Sequence, residues 1–62
     1  MKVNVNIAVM DYNAPAIRIY HVKLNEGWTD EDALRWLMEN TNYTDAEMYY
    51  MCTELDITVE EY

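Results

Sequence analysis

The chain predicts a small α+β domain of ββαβ type, with a three-stranded antiparallel sheet in the order 2-1-3 and one helix packed on one face. Three observations carry this. Val3, Val5, Ile7 and Val9 alternate with Asn4, Asn6, Ala8 and Met10, the period of two of a strand with one buried side. Asp11 to Pro15 then supplies turn chemistry. From Trp28 to Tyr43 the pattern changes to helical spacing, with Ala33, Leu34, Leu37, Met38 and Thr41 on one face.

Taken in order, the first strand ends where Asp11, Asn13 and Pro15 interrupt it, because proline cannot donate to a ladder. A loop of this length makes a hairpin. The second strand, 16–24, has two opposed phases. Ile17 and Ile19 share a side with His21 and Lys23, whereas Arg18, Tyr20, Val22 and Leu24 share the other. Two solutions stand open: a bulge near Tyr20, or an apolar pair left on the side away from the helix.

Asn25-Glu26-Gly27 forms a turn, and Gly27, the only glycine, is free to take a positive φ. The helix spans about 29–41. Thr29 is its N-cap, Asp32 closes a capping box, and Trp28 staples onto Ala33. Asp30, Glu31 and Asp32 suit the positive end of the helix dipole. Asn40 and Asn42 are expected to supply a left-handed C-cap.

The last segment carries two patterns. Thr44-Asp45-Ala46-Glu47 reads as a capping box, and Met48, Met51, Cys52 and Leu55 fit a second helix. Against this, Tyr49 to Glu60 alternates in a run rich in strand formers, and a helical turn at 44–47 followed by a strand over about 49–60 is preferred. The helical crossover makes strands 2 and 3 parallel, with a right-handed connection expected. The first strand is then central, and its two asparagines belong on an open face.

Sixty-two residues make one domain, 1–62, with a single thin core. One cysteine and one histidine exclude an internal disulfide and a multi-thiolate metal site. Twelve acids face four bases for a net charge of −8. The asymmetry is sharper still, since residues 36–62 hold seven acids and no Lys or Arg. Such a field repels nucleic acid and anionic membranes and favours basic partners. No apolar run approaches the roughly 18 residues of a membrane span, and a cytoplasmic setting is the expectation. Asn42-Tyr43-Thr44 matches a glycosylation acceptor by chance composition.

No catalytic residue, cofactor site or metal site is expected. A Cys52–His21 nucleophile pair lacks a third group and a cavity, and a lone cysteine ordinarily packs as a small hydrophobe. Asp30-Glu31-Asp32 lacks the glycine and distal Glu of a calcium loop. No phosphate loop, serine elbow or zinc-protease pattern occurs. What remains is interaction. Glu54, Asp56 and Glu60, placed on one face of the last strand and interleaved with tyrosines, imitate in kind a nucleic-acid backbone. With Tyr50 and Trp36 they form the expected contact set for a basic protein surface, as in small inhibitors of phages and mobile elements. The alternative is a structural homodimer, formed by Ala8, Met10, Ile17 and Ile19 on the open sheet face.

Overall fold

The computed structural model describes residues 1–12, 14–43 and 49–62. The elements are β1 (Lys2–Asp11), β2 (Ala16–Asn25), α1 (Asp30–Asn40) and β3 (Tyr49–Thr53), with the sheet in the order β2-β1-β3. Both pairings of β1 are antiparallel. The architecture is the expected one. A single helix over a three-stranded sheet makes a thin slab, and the Cα trace measures 36 × 27 × 14 Å along its principal axes.

Register explains where the core lies. Val3, Val5, Ile7 and Val9 face α1, and Ile7 sits opposite both Tyr20 and Cys52, so Tyr20 and Cys52 face α1 too. Val5, Ile7, Val9, Val22, Ala33 and Leu37 form the buried cluster, with Val3, Tyr20, Leu24, Trp28 and Trp36 around it. β1 and β2 pair without interruption over ten residues, so no bulge resolves the two phases of β2. Val22 is buried on the helix side, while Ile17 stays 62% exposed on the other. Among the described residues, the outer edge of β2 pairs with no strand.

The helix starts as its sequence dictates. The Thr29 backbone N–H donates to Asp32 Oδ2 at 2.9 Å, the reciprocal arm of a capping box. Gly27 has φ +84°. A Cβ there would meet nothing within 4 Å, so Gly27→Ala isolates backbone strain from crowding. It is expected to cost about 1 kcal/mol, or about 4–8 °C in Tm for a domain of this size, read by thermal denaturation. An unchanged Tm would mean that the turn relaxes.

The helix end differs from expectation. No described residue other than Gly27 has positive φ. Thr41 is extended, with its N–H donating to Leu37 O at 2.9 Å, and the Asn40 side chain donates to Trp36 O at 2.9 Å. The last turn is thus satisfied by side chains and by one further backbone bond, without a left-handed residue. Met38 and Leu34 also depart from a simple buried stripe: Leu34 is half-buried and Met38 is 51% exposed.

β3 is the main correction. It ends at Thr53, well short of the strand expected to run to about residue 60, and residues 56–62 have no regular structure. The register gives the reason. Continuing the ladder would set Glu54 opposite Val5 and Asp56 opposite Val3, on the helix side, while Leu55, Ile57 and Val59 turned away from it. Laying carboxylates over an apolar core is costly. The chain instead leaves the ladder and turns onto the open face. The strand placement for 49–53 holds over the helical alternative, and the turn expected at 44–47 lies outside the described residues.

Candidate interaction surface

Two faces of the slab offer different chemistry. The open face is built from the β1 residues that point away from α1, with Ala8 opposite Ile19 and Met51, and Met10 opposite Ile17 and Tyr49. Met10, Ile17, Tyr49 and Met51 remain exposed. The four residues expected on a dimer face, Ala8, Met10, Ile17 and Ile19, are therefore brought together by the pairing itself.

The C-terminal tail crosses this face. Asn6, half-buried on the central strand, donates from Nδ2 to Leu55 O at 2.8 Å. With its nitrogen committed, Asn6 presents Oδ1 to His21 Nδ1 at 2.7 Å, which makes that ring nitrogen the donor. Both asparagines lie on the open side as expected, and Asn6 has a role that composition did not disclose. It anchors the tail through a partner 49 positions away. Beyond the anchor, Ile57 is half-buried while Val59 stays 58% exposed.

The three carboxylates expected in one row separate into three neighbourhoods. Glu54 accepts from Trp28 Nε1 at 3.0 Å, beside the helix N-terminus, where Cys52 Sγ donates to Asp30 Oδ1 at 3.1 Å. Asp56 lines a surface depression with Asn4, Asn6, His21 and Lys23. Glu60 lies over Ala8, Met10 and Ile17. The expected acidic strand face is replaced by an acidic corner around Glu54 and Asp30, plus a tail that carries Asp56, Glu60 and Glu61. The helix acids belong to this charge pattern, a connection hidden from sequence because it depends on Cys52 and Trp28 reaching across the fold.

The aromatic members of the expected contact set serve the core boundary. Trp36 is half-buried, with its ring centroid 5.8 Å from that of Tyr20 at an interplanar angle of 59°. Tyr50 is half-buried against the core cluster on the helix side. Exposed aromatic surface lies elsewhere, where Tyr12 and Tyr49 meet edge to face at 5.6 Å. Tyr43 Oη donates to Asp11 Oδ2 at 3.2 Å, tying the chain after α1 to the hairpin.

Charge compensation is sparse. Arg35 pairs with Asp32 at 3.7 Å on the helix surface, and such an exposed pair contributes little. No polar or charged side chain is buried among the described residues, and no group of three or more His, Cys, Asp or Glu among them is placed to hold a metal. The Cys52 thiol is pushed up to about 11 by burial and then by the Asp30 carboxylate. A thiol so far from ionisation is a poor nucleophile at neutral pH. Cys52 and His21 also make separate contacts, with Asp30 and with Asn6. No described helix is long and apolar enough to cross a membrane.

No protein-family model matches this chain, and no curated protein or solved structure matches it.

Proposed function

We propose that this protein is a non-catalytic interaction module that binds a basic surface of another protein. The observation that carries the reading is an acidic side of the fold with few cations to neutralise it. β3 and the tail, Tyr49 to Tyr62, contain four acids and no Lys or Arg, and their folding sets Glu54 beside the helix N-terminus with Asp30. Complementary potential of this kind steers encounter and selects partners. The narrower form, imitation of a nucleic-acid backbone by an inhibitor of phage or mobile-element type, calls for carboxylates in a regular row. The dispersal of Glu54, Asp56 and Glu60 favours the broader form, recognition of a basic protein surface. Direct nucleic-acid binding is disfavoured by the same charge.

The combined variant Glu54→Gln, Asp56→Asn and Glu60→Gln tests this, since all three residues are exposed. Affinity for a basic probe protein such as a histone should fall about 3- to 140-fold at low salt, taking each exposed pair at about 0.2–1 kcal/mol. The difference should shrink as salt rises. Equal binding by variant and parent across a salt titration would reject the electrostatic reading.

The exposed apolar side chains of the open face favour a second reading, a homodimer formed through Ala8, Met10, Ile17 and Ile19. Mass measured over a dilution series separates the two, because the module reading expects a monomer at every concentration.

A further inference from the structure

Between the tail and the sheet runs a groove of about 390 Å³. Ala8, Met10, Ile17 and Met51 form its floor and Ile57 and Val59 one wall, with Glu60 also lining it. A second depression of about 220 Å³ at the hairpin adjoins it, sharing Met10 and Ile17. The furrow thus continues from the tail to the hairpin, where Asp11 also lines it. No Lys or Arg lines either part, and Glu61 follows Glu60 along the tail.

We propose that this furrow is the seat of an extended basic segment of the partner, with apolar side chains on the sheet and lysines or arginines turned to the tail carboxylates. The proposal rests on the acidic-module reading above and specifies where on the molecule the partner sits. Charge decides the occupant. A purely apolar segment would make no use of the exposed Glu60, which accepts from Tyr62 Oη, and an acidic one would be repelled by it. An extended peptide with alternating apolar and basic residues presents the two chemistries on opposite sides, matching the apolar Ala8, Met10, Ile17 and Met51 and the carboxylates of Glu60 and Asp11. Methionine suits such a floor, because its unbranched thioether adapts to different side chains. A space of this size falls within the range that accepts a few side chains.

Methyl-labelled methionine NMR tests the assignment directly, since Met10 and Met51 lie in the groove and Met38 lies exposed on the helix as an internal reference. The probes are three capped hexapeptides: alternating Leu-Lys, alternating Leu-Glu and alternating Gly-Lys. The Leu-Lys peptide should shift Met10 and Met51 while Met38 stays fixed. The Gly-Lys peptide should bind more weakly, and the Leu-Glu peptide should leave all methyls unmoved. Glu60→Gln should weaken the Leu-Lys peptide about two- to fivefold. Ile17→Gln, at a position 62% exposed and so tolerant of change, should weaken it without altering Tm.

Leu-Lys and Gly-Lys peptides binding equally with Met10 and Met51 unmoved would overturn the groove assignment and leave the acidic module standing. Failure of every basic peptide to bind would remove both. Met10 and Met51 shifting on dilution of the protein alone would assign the furrow to a second copy of the chain and overturn the proposal.

Discussion

Replacing Leu37 with alanine is expected to bring the domain to the edge of unfolding at 37 °C. Leu37 is fully buried among Val5, Ile7, Val9, Val22 and Ala33. Removing a leucine from such a site costs about 2–5 kcal/mol, the transfer energy plus the cavity left behind. A chain of 62 residues has a total stability of about 3–9 kcal/mol at ordinary per-residue values, so one side chain represents a large share of it. The effect should sit near the upper end of the range, because a single helix on a sheet offers few neighbours to collapse into the void. Met38→Ala is the matched control: 51% exposed and one position along, it should change stability by less than about 0.5 kcal/mol. Urea titration followed by circular dichroism reads both. Parent-like stability in Leu37→Ala would show that the helix is not what covers the sheet.

The second large effect concerns Cys52. With the thiol pushed from 9.0 to about 11, its thiolate fraction at neutral pH falls about 100-fold, and alkylation, which runs through the thiolate, should slow in proportion. Iodoacetamide modification of folded and urea-unfolded protein at pH 7.5 measures the ratio directly. Asp30→Asn should recover part of the rate, since it removes the carboxylate that the thiol donates to, while burial, the larger cause, remains. Sign and window follow from linkage. The folded protein keeps its thiol proton above the pH at which the unfolded chain releases it, so between about pH 9 and 11 this group makes stability fall as pH rises. Below that window it contributes no pH dependence. Equal alkylation rates folded and unfolded would remove the protecting contact with Asp30 and the burial together.

Much of the architecture was legible in local pattern. The alternation of Val3 to Val9, the turn chemistry at Asp11 to Pro15, the capping box at Thr29 to Asp32 and the glycine before the helix each encode one element, and they agree with one another. Two places resisted. The alternation of Leu55, Ile57 and Val59 is real, but a period of two states only that these residues share a side. Which side is set by the pairing of Ile7 with Cys52, and that register sends them away from the helix. β3 therefore stops, and the same three apolar residues become the tail over the open face. The helix end resisted for a related reason: Asn40 can cap through its backbone or through its amide, and the sequence does not distinguish them.

The candidate site was legible in kind and misplaced in detail. The apolar set on the open face followed from strand parity once no bulge intervened. The carboxylates did not form a row, because the strand that was to align them is short. Trp36 and Tyr50 are expected in the contact set, and the fold packs both against the core cluster. Asn6, Trp28 and Asp30 join the candidate site through contacts with residues 22 to 49 positions distant, which no window along the chain can reveal.

The unequal lengths of the two outer strands bear on edge-to-edge assembly of copies of this chain. The free margin of β2 offers ten residues of backbone and carries Arg18, His21 and Lys23, while the opposite margin, β3, offers five and lies next to carboxylates. Copies meeting through two β2 margins would oppose like charges. Head-to-tail stacking, which electrostatics would encourage, finds among the described residues a five-residue template that ends at Thr53. Truncation at Thr53 thus interrupts the register that an open-ended assembly would have to propagate.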